Sequence, residues 1–296
     1  MTGANSGSGF ATTEQLARQG AHVIAACRRV AASKEAFADL GDISGSVEVM
    51  ELDLASLASV RRFAEAFLSK YDRLDGLVNN AGVMMTPEGR TEDGFETQIG
   101  INHLGHFLLT ELLLDTLKAS APSRIVCVSS VAHAGMRGTN AEIDLDDLHY
   151  DKREYSPGAA YAQSKLANVL HAFDLARRLE GSGVSAFSLH PGWIRSNLVR
   201  SAGARFVQNV LLRPFGGMLG LMSWFEGAQT SLHCLLDDDA PSHNGAYYSQ
   251  NSLLYSDREN RSGGWPMTSP NPHARDVELA EKLYHRSLEL VGLNGN

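Results

Sequence analysis

The chain has 296 residues, of which 43% are hydrophobic and 20% are charged, and its formal net charge is −8. This composition is typical of a soluble globular protein and excludes wholesale disorder. The 34 acidic residues outnumber the 26 basic ones and no long basic run occurs, which argues against nucleic acid as the main partner. The three cysteines lie far apart, so reduced, buried thiols fit better than a disulfide framework or a metal site.

A glycine-rich turn, Thr2–Gly9, begins the chain, and a helix is predicted over Phe10–Gln19. Closely spaced glycines let the backbone bend sharply and approach a pyrophosphate, with the amides of the following helix facing the phosphates. Taken alone the turn is weak evidence for a dinucleotide, because glycine clusters are common in turns. The same architecture needs a strand before the turn, where only Met1 is present, so the first strand is expected to be missing from this chain.

Apolar strand-like runs alternate with amphipathic helical stretches up to about residue 190. This alternation predicts crossover units and a mostly parallel sheet with helices on both faces, which is a doubly wound α/β fold of the Rossmann type. The predicted strands are His22–Cys27, Val47–Leu52, Leu74–Val78, Arg124–Ser129, Val184–Leu189 and, at the sheet edge, Gly245–Ser249. The predicted helices after the first one are Ser56–Tyr71, Phe95–Ser120, Ala159–Glu180 and Asp276–Leu290.

Residues 201–236 interrupt this alternation with bulky apolar side chains. We expect a helical insertion that covers the substrate pocket, within a single domain over residues 1–296. Its apolar surface favours a lipophilic alcohol or carbonyl as substrate; packing of the insertion on the sheet and an interfacial membrane contact are alternatives. The side chains concerned are Phe206, Val210, Leu211, Leu212, Met218, Leu221, Met222, Trp224 and Phe225.

Three polar motifs follow predicted strands or lie on the long helix: Asn79–Gly82, the pair Ser129 and Ser130, and Tyr161 with Lys165. On a helix, positions i and i+4 share a face, so the Lys165 ammonium is expected near the Tyr161 phenol. A cation there favours the phenolate and lowers the pKa of Tyr161 from about 10 toward neutral pH. Each motif alone has an ordinary explanation: a strand-ending turn, a serine-rich strand end, and a helix with one inward tyrosine and one solvated lysine.

Together and in this order the motifs resemble the short-chain dehydrogenase/reductase family, from Thr2 to about Ser249. The closest likeness is to its retinol dehydrogenase branch. The segments that carry this likeness are Ser129–His133, Gln163–Val169, His190–Gly192, Gly263–Pro266 and Ser269–Pro272. One departure is Ser8, which stands where the family usually has an aliphatic residue beneath the turn.

The resemblance implies four catalytic residues. Tyr161 would exchange the proton of the reacting oxygen, Ser130 would hold that oxygen, and Lys165 would bind the nicotinamide ribose. Asn102 would hold a water that links Lys165 to solvent. The implied cofactor-binding residues are Gly3, Asn5, Ser6, Gly7, Gly9, Arg28, Asp53, Leu54, Asn79, Ala81, Gly82, Tyr161, Lys165, Pro191, Gly192 and Ser196.

The end of the predicted strand His22–Cys27 bears on the choice between NAD and NADP as cofactor. NAD-specific sites place an acidic residue there, whereas Arg28 suits the 2′-phosphate of NADP, so NADP is predicted over NAD. Alternatives remain: Arg28 as an exposed arginine at a helix start, and Asp53 as a local cap near Ser56. No metal is expected, because His103 and His106 lack a carboxylate or cysteine partner. His133 and His190 are interpreted in the same way.

The predicted function is hydride transfer between NADP(H) and a retinoid-, steroid- or fatty-aldehyde-like alcohol or carbonyl. The alternative is a catalytically silent or truncated family member that acts as a binding or scaffold protein. The resemblance also leaves a homodimer and a peripheral membrane contact open. No signal peptide or apolar run of transmembrane length is visible, so a cytoplasmic location is expected for the chain as given, with an anchor ahead of Met1 left open.

Overall fold

The computed structural model describes residues 1–135, 140–194, 221–249 and 268–293. Its strands are β1 (His22–Cys27), β2 (Ser46–Glu51), β3 (Gly76–Asn79), β4 (Ser123–Val128), β5 (Val184–His190), β6 (Trp193–Ile194), β7 (Leu221–Met222) and β8 (Tyr247–Ser249). Its helices are α1 (Gly7–Arg18), α2 (Val30–Phe37), α3 (Leu57–Leu68), α4 (Thr97–Ile99), α5 (Gly105–Ala119), α6 (Pro157–Arg178), α7 (Trp224–Leu236) and α8 (Val277–Leu290). A π-helical turn, Gly100–Leu104, joins α4 to α5, and a 3-10 turn covers Val131–Ala134.

The main sheet is parallel. β1 pairs with β2, and β3, β4, β5 and β8 follow one another in that order. The first residues of the chain lie between β1 and β3: the Thr2 N–H donates to the Val78 carbonyl at 3.0 Å, and the Ala26 N–H donates to the Met1 carbonyl at 2.9 Å. Met1 and Thr2 therefore join the two groups of strands at the place where the sequence predicts a first strand.

Apolar residues of alternate parity cover both faces of the sheet, as expected for a parallel sheet with crossover helices. On β4, Ile125 and Cys127 belong to the core that includes residues of α3, α5 and α6, whereas Val126 and Val128 belong to the core on the other face. The doubly wound, Rossmann-type prediction is confirmed. All three cysteines are buried free thiols.

The structure departs from the predicted elements at several points. The single helix predicted over Phe95–Ser120 is wrong in detail, because α4, the π-helical turn and α5 share this stretch. Helix α2 was not predicted. Residues 201–220 of the expected insertion lie outside the described residues, and α7, which ends it, packs its Ala228 and Leu232 against Ala11 of α1. A substrate-covering role for residues 201–236 stays a prediction.

Candidate active site

The phosphate-binding turn predicted at Thr2–Gly9 has a backbone that favours glycine at two positions and leaves no space for a Cβ at Gly3 and Gly9. Gly3 and Gly7 have φ values of +61° and +57°, in the left-handed region. A Cβ atom added to Gly3 would lie 2.9 Å from the Cα of Ala81, and one added to Gly9 would lie 2.4 Å from the Gly3 carbonyl oxygen. The turn leads directly into α1, so its amides and the helix N-terminus together form a cradle suited to a pyrophosphate.

A cavity of about 290 Å³ runs from this turn along the carboxyl ends of β1, β2 and β3. Nine of the predicted cofactor-binding residues line it. They are Gly3, Asn5, Ser6, Gly7, Arg28, Asp53, Leu54, Ala81 and Gly82. The glycine turn, the N-terminus of α1 and this cavity therefore fit a dinucleotide that lies across the ends of the strands.

Asn79 does not line this cavity, whereas its neighbour Asn80 does. The Asn79 amide is buried and donates to the Thr110 hydroxyl at 2.9 Å, inside the protein. The Asn80 amide lines the cavity and donates to the Thr2 carbonyl at 2.9 Å, and the Ser8 hydroxyl donates to its Oδ1 at 3.3 Å. Ser8, which stands where an aliphatic residue is usual, thus adds a hydrogen bond beneath the turn.

Arg28 and Asp53 face each other at the rim of the cavity. The Arg28 Nη1 lies 4.0 Å from the Asp53 Oδ2, and the Arg28 side chain is 58% exposed. Asp53 also accepts the Ala55 N–H at 3.0 Å, so the local capping that the sequence left open for this residue is present. Gly192, with φ +92°, and Pro191 follow β5, whereas Ser196 lies outside the described residues.

Tyr161 and Lys165 project from the first half of α6, which begins at Pro157, directly after Ser156. The Ser156 hydroxyl accepts the Ala159 N–H and so caps this helix. Lys165 places its Nζ 5.8 Å from the centre of the Tyr161 ring and donates to the Val128 carbonyl at 3.1 Å. This position directs the ammonium group to the end of β4, beside the tyrosine.

The Tyr161 hydroxyl lies beside the side chain of Ser130, two residues after β4. Burial raises the pKa of Tyr161, and the interaction with Ser130 opposes the rise. Burial also lowers the pKa of Lys165 to about 8. The sequence predicts a lowered pKa for Tyr161; in the protein alone, burial of the phenolate dominates, so the tyrosine holds its proton at neutral pH.

Asn102 lies in the π-helical turn, a feature often found at functional sites. Its Oδ1 accepts the Val83 N–H at 2.8 Å, and its Nδ2 donates to the Val83 carbonyl and to the Ser164 hydroxyl, both at 2.9 Å. A Cβ on Gly82 would lie 3.1 Å from the Asn102 Oδ1 and 3.4 Å from the Lys165 Nζ. Asn102 therefore ties the loop after β3 to α6, and its relay of a water stays a prediction.

The buried His106 connects the cofactor turn with Asn102, a link that sequence reasoning missed. Its Nδ1 lies 3.0 Å from the Asn102 carbonyl, so Nδ1 carries the proton, and its Nε2 accepts from the Thr2 hydroxyl at 2.8 Å. The Thr2 oxygen in turn accepts the N–H groups of Asn80 and Ala81, both at 2.9 Å. Two histidines three residues apart suggested only a metal or simple packing.

No group of three or more potential metal ligands occurs among the described residues. The His103 Nε2 is hydrogen-bonded to the Ser287 hydroxyl at 2.9 Å. Burial lowers the pKa of His103 to about 3 and the pKa of His106 to about 4. These imidazoles are neutral at physiological pH. Within the described ranges, no helix is long and apolar enough to cross a membrane.

Comparison with known proteins shows to which family a chain with this site belongs. The profile of the family described as short chain dehydrogenase matches residues 1–141. Human retinol dehydrogenase 12 is 45% identical over 295 residues, which cover 99% of this chain and 85% of that protein. The chain belongs to the short-chain dehydrogenase family. As a member of this family, it is an oxidoreductase acting on CH–OH groups.

Solved structures agree with the family assignment. The crystal structure of an uncharacterized protein from Mycobacterium Paratuberculosis is 35% identical, with a TM-score of 0.74, and the match covers 99% of this chain and 92% of the other. A protein from Beutenbergia cavernae, described as an NAD(P) dependent gluconate 5-dehydrogenase with bound NADP at low occupancy, is 26% identical with a TM-score of 0.63; the match covers 84% of this chain and 92% of the other.

Proposed function

We propose that the chain transfers hydride between NADP(H) and a lipophilic alcohol or carbonyl of the retinoid, steroid or fatty-aldehyde kind. The observation that carries the proposal is the grouping of Tyr161 with Ser130 and the buried Lys165, close to the glycine-lined cavity. The name of the 45% identical relative, retinol dehydrogenase 12, favours a retinoid within this class.

The nicotinamide cofactor, when bound, supplies or accepts the hydride, which no protein side chain can do. The backbone at Gly3–Gly9 would hold its pyrophosphate, Lys165 its nicotinamide ribose, and Arg28 a 2′-phosphate. In carbonyl reduction the Tyr161 hydroxyl gives its proton to the carbonyl oxygen, and the Ser130 hydroxyl donates a hydrogen bond to the same oxygen. In alcohol oxidation the tyrosinate takes that proton back.

Lys165 acts on Tyr161 through space. A tyrosinate left after proton donation is buried, and burial disfavours its charge. The Lys165 ammonium, 5.8 Å from the ring centre, offsets this cost as long as the lysine keeps its proton. Because burial lowers the lysine pKa to about 8, this support weakens above that pH.

The NADP preference is supported by the surroundings of Arg28. Its side chain is 58% exposed at the cavity rim, and the carboxylate of Asp53 is 4.0 Å away. No acidic residue ends β1, where a carboxylate would repel a 2′-phosphate. Since ion pairs this exposed are weak, the Arg28 guanidinium can exchange Asp53 for a phosphate at little cost.

We expect Arg28→Ala to raise the Kd for NADPH by about tenfold, because one charge-assisted phosphate contact is lost. The Kd for NADH should stay within about twofold, since NADH has no 2′-phosphate. Quenching of nicotinamide fluorescence measures both constants. An unchanged Kd for NADPH, or an equal loss for both cofactors, would remove Arg28 as the residue that selects NADP.

The activity itself is tested with the purified chain, NADPH and a carbonyl panel comprising all-trans-retinal, a steroid ketone, a long-chain aldehyde and a short hydrophilic aldehyde. We expect the highest kcat/KM among the three lipophilic carbonyls. A wild-type chain that turned over none of the panel would refute the proposal. Preference for the short hydrophilic aldehyde would refute its substrate class.

A further inference from the structure

The residues after Thr268 lie against the turn that carries Ser130. His133 closes the 3-10 turn Val131–Ala134, and its side chain is completely buried. Its Nδ1 lies 2.6 Å from the Ser130 carbonyl oxygen, and its Nε2 lies 2.6 Å from the Ser269 hydroxyl. A carbonyl only accepts, so Nδ1 carries the proton and Nε2 accepts from Ser269. A continuous chain of hydrogen bonds therefore runs from the tail to Ser130.

The far end of this chain of bonds is itself fixed. The Ser269 hydroxyl oxygen accepts the Asn271 N–H at 3.2 Å. The buried Asn271 amide donates to the His133 carbonyl at 2.6 Å and to the Ala141 carbonyl at 3.0 Å. Asn271 thus binds the chain on both sides of residues 136–139. On its other side, the His133 ring packs on Tyr247 with ring centres 4.7 Å apart.

The bond from His133 bears on where the Ser130 hydroxyl points. The Ser130 carbonyl accepts both the His133 N–H, at 3.0 Å, and the His133 Nδ1–H. Two donors fix the plane of this peptide group, and with it the ψ angle of Ser130, which is 159°. The direction in which the Ser130 Cβ leaves the backbone follows from that angle, and the Ser130 hydroxyl oxygen accepts the Ala132 N–H at 3.3 Å.

We propose that His133, Ser269 and Asn271 form a tail latch whose role is to position Ser130 for the reaction. The latch residues do not line the cavity at the glycine turn, and they act through the Ser130 peptide group. The idea rests on the proposed function, in which Ser130 holds the reacting oxygen. It also explains why two separate segments of the retinol dehydrogenase-like pattern, Ser129–His133 and Ser269–Pro272, occur together: in the structure they bind each other.

The latch is tested by comparing Ser269→Ala with Ser269→Thr, which keeps the hydroxyl, and with Asp276→Ala. Asp276 caps α8 in the same tail by accepting the Leu279 N–H at 3.0 Å, and it makes no contact with the Ser130 turn. His133→Gln is a second variant: its amide reaches toward Ser269 but leaves the Ser130 carbonyl without the Nδ1 donor. The measurements are kcat and KM for the best carbonyl of the panel, the Kd for NADPH and Tm.

We expect Ser269→Ala and His133→Gln to lower kcat about tenfold, because small misplacements of a catalytic group are costly. The Kd for NADPH should remain within about twofold, since the phosphate turn is distant from the latch in the chain and shares no hydrogen bond with it. Ser269→Thr should restore kcat, and Asp276→Ala should lower Tm with kcat unchanged. A fall in Tm without loss of kcat in Ser269→Ala, or equal losses in kcat and NADPH binding, would overturn the latch.

Hydrogen exchange followed by mass spectrometry gives a readout that does not need turnover. Ser269→Ala should speed exchange of the peptide covering residues 129–135 and leave the peptide covering residues 2–9 unchanged. If the wild type reduced no carbonyl, the proposed function would fall, and the exchange data would still decide the latch. Unaltered exchange over residues 129–135 would overturn it.

Discussion

The cofactor end and the catalytic end of the site are stabilised by different parts of the polypeptide. At the cofactor end, Thr2–Gly9 is one contiguous segment whose shape depends on the backbone, with no room for a side chain at Gly3 or Gly9. At the catalytic end, Ser130, Tyr161 and Asn102 come from three segments, and buried side chains such as His133 connect them to the rest of the protein. The cofactor end comes from one stretch of sequence, whereas the catalytic end is assembled from segments that are far apart in the sequence.

This difference implies that the two ends fail in different ways. A substitution in the turn acts through sterics on a backbone cradle, so it should weaken cofactor binding. A substitution at the catalytic end removes hydrogen bonds that orient reacting groups, so it should lower kcat while the cofactor still binds. Variants that affect only cofactor binding or only kcat would support this difference between the two ends. Variants that affect both quantities would argue against it.

The largest effect on cofactor binding is expected from Gly3→Ala at the cofactor end. The new Cβ would lie 2.9 Å from the backbone of Ala81, at a φ of +61°. We expect the Kd for NADPH to rise about 100-fold, since the turn must shift to relieve the clash. Fluorescence titration with NADPH measures it.

Gly7→Ala is the matched control for Gly3→Ala. Gly7 has nearly the same φ, +57°, but a Cβ there would meet no atom within 4 Å. Only the left-handed backbone penalty of about 1 kcal/mol remains, so the loss should be about fivefold. Equal losses in the two variants would show that strain rather than close approach governs the turn.

Acid should loosen the catalytic end, where His103, His106 and His133 are buried with pKa values lowered to about 3, about 4 and about 4. Unfolding returns each imidazole to a pKa near 6.5, so the unfolded chain binds more protons between these values and stability falls as pH drops below 6.5. At pH 5 each histidine costs about 2 kcal/mol, a roughly 30-fold change in the unfolding equilibrium. Asp174, with a pKa raised to about 6, opposes this with a smaller contribution.

Thermal melting between pH 7 and pH 5 checks this expectation. Tm of the wild type should fall as the pH is lowered, and His103→Leu, which removes one of the buried imidazoles, should show a shallower fall. Comparing slopes separates the proton effect from the loss of the His103–Ser287 hydrogen bond. Identical slopes in the two proteins would contradict the assignment of the acid sensitivity to these histidines.

His106 is the residue expected to violate the division between the two ends, because it bonds both to Thr2 and to the Asn102 carbonyl. We expect His106→Leu to lower kcat about tenfold and to weaken NADPH binding about threefold, as both supports are lost. His103→Leu, a substitution of an equally buried imidazole that contacts neither, should change Tm alone. An effect of His106→Leu on only one of the two quantities would mean that the ends are not coupled through this residue.

Sequence reasoning recovered what is periodic or contiguous. Strand and helix alternation gave the fold, and the glycine spacing gave the cofactor turn, because both depend on local rules of backbone geometry. It missed the π-helical turn at Gly100–Leu104, whose close packing is tertiary: a Cβ on Gly100 would lie 2.5 Å from the Thr91 Cγ2.

Sequence reasoning was weakest for buried polar side chains. It assigned Asn79 to the cofactor, whereas the structure directs Asn79 to Thr110 and Asn80 to the cavity, a choice that depends on strand parity at the end of β3. It did not identify the hydrogen-bond partners of His106 and His133, because Thr2 and Ser269 are more than a hundred residues away from them in the chain. Hydrogen bonds over such separations leave no periodic signal.

The most direct test of the account is the effect of Tyr161→Phe on turnover and on cofactor binding. The substitution removes only the hydroxyl that, in the proposed reaction, gives its proton to the carbonyl oxygen, and that lies beside Ser130. We predict that kcat for the best carbonyl substrate falls at least about 1,000-fold while the Kd for NADPH stays within about twofold. Turnover within about tenfold of the wild type, or loss of NADPH binding, would contradict the assignment of the chemistry to Tyr161.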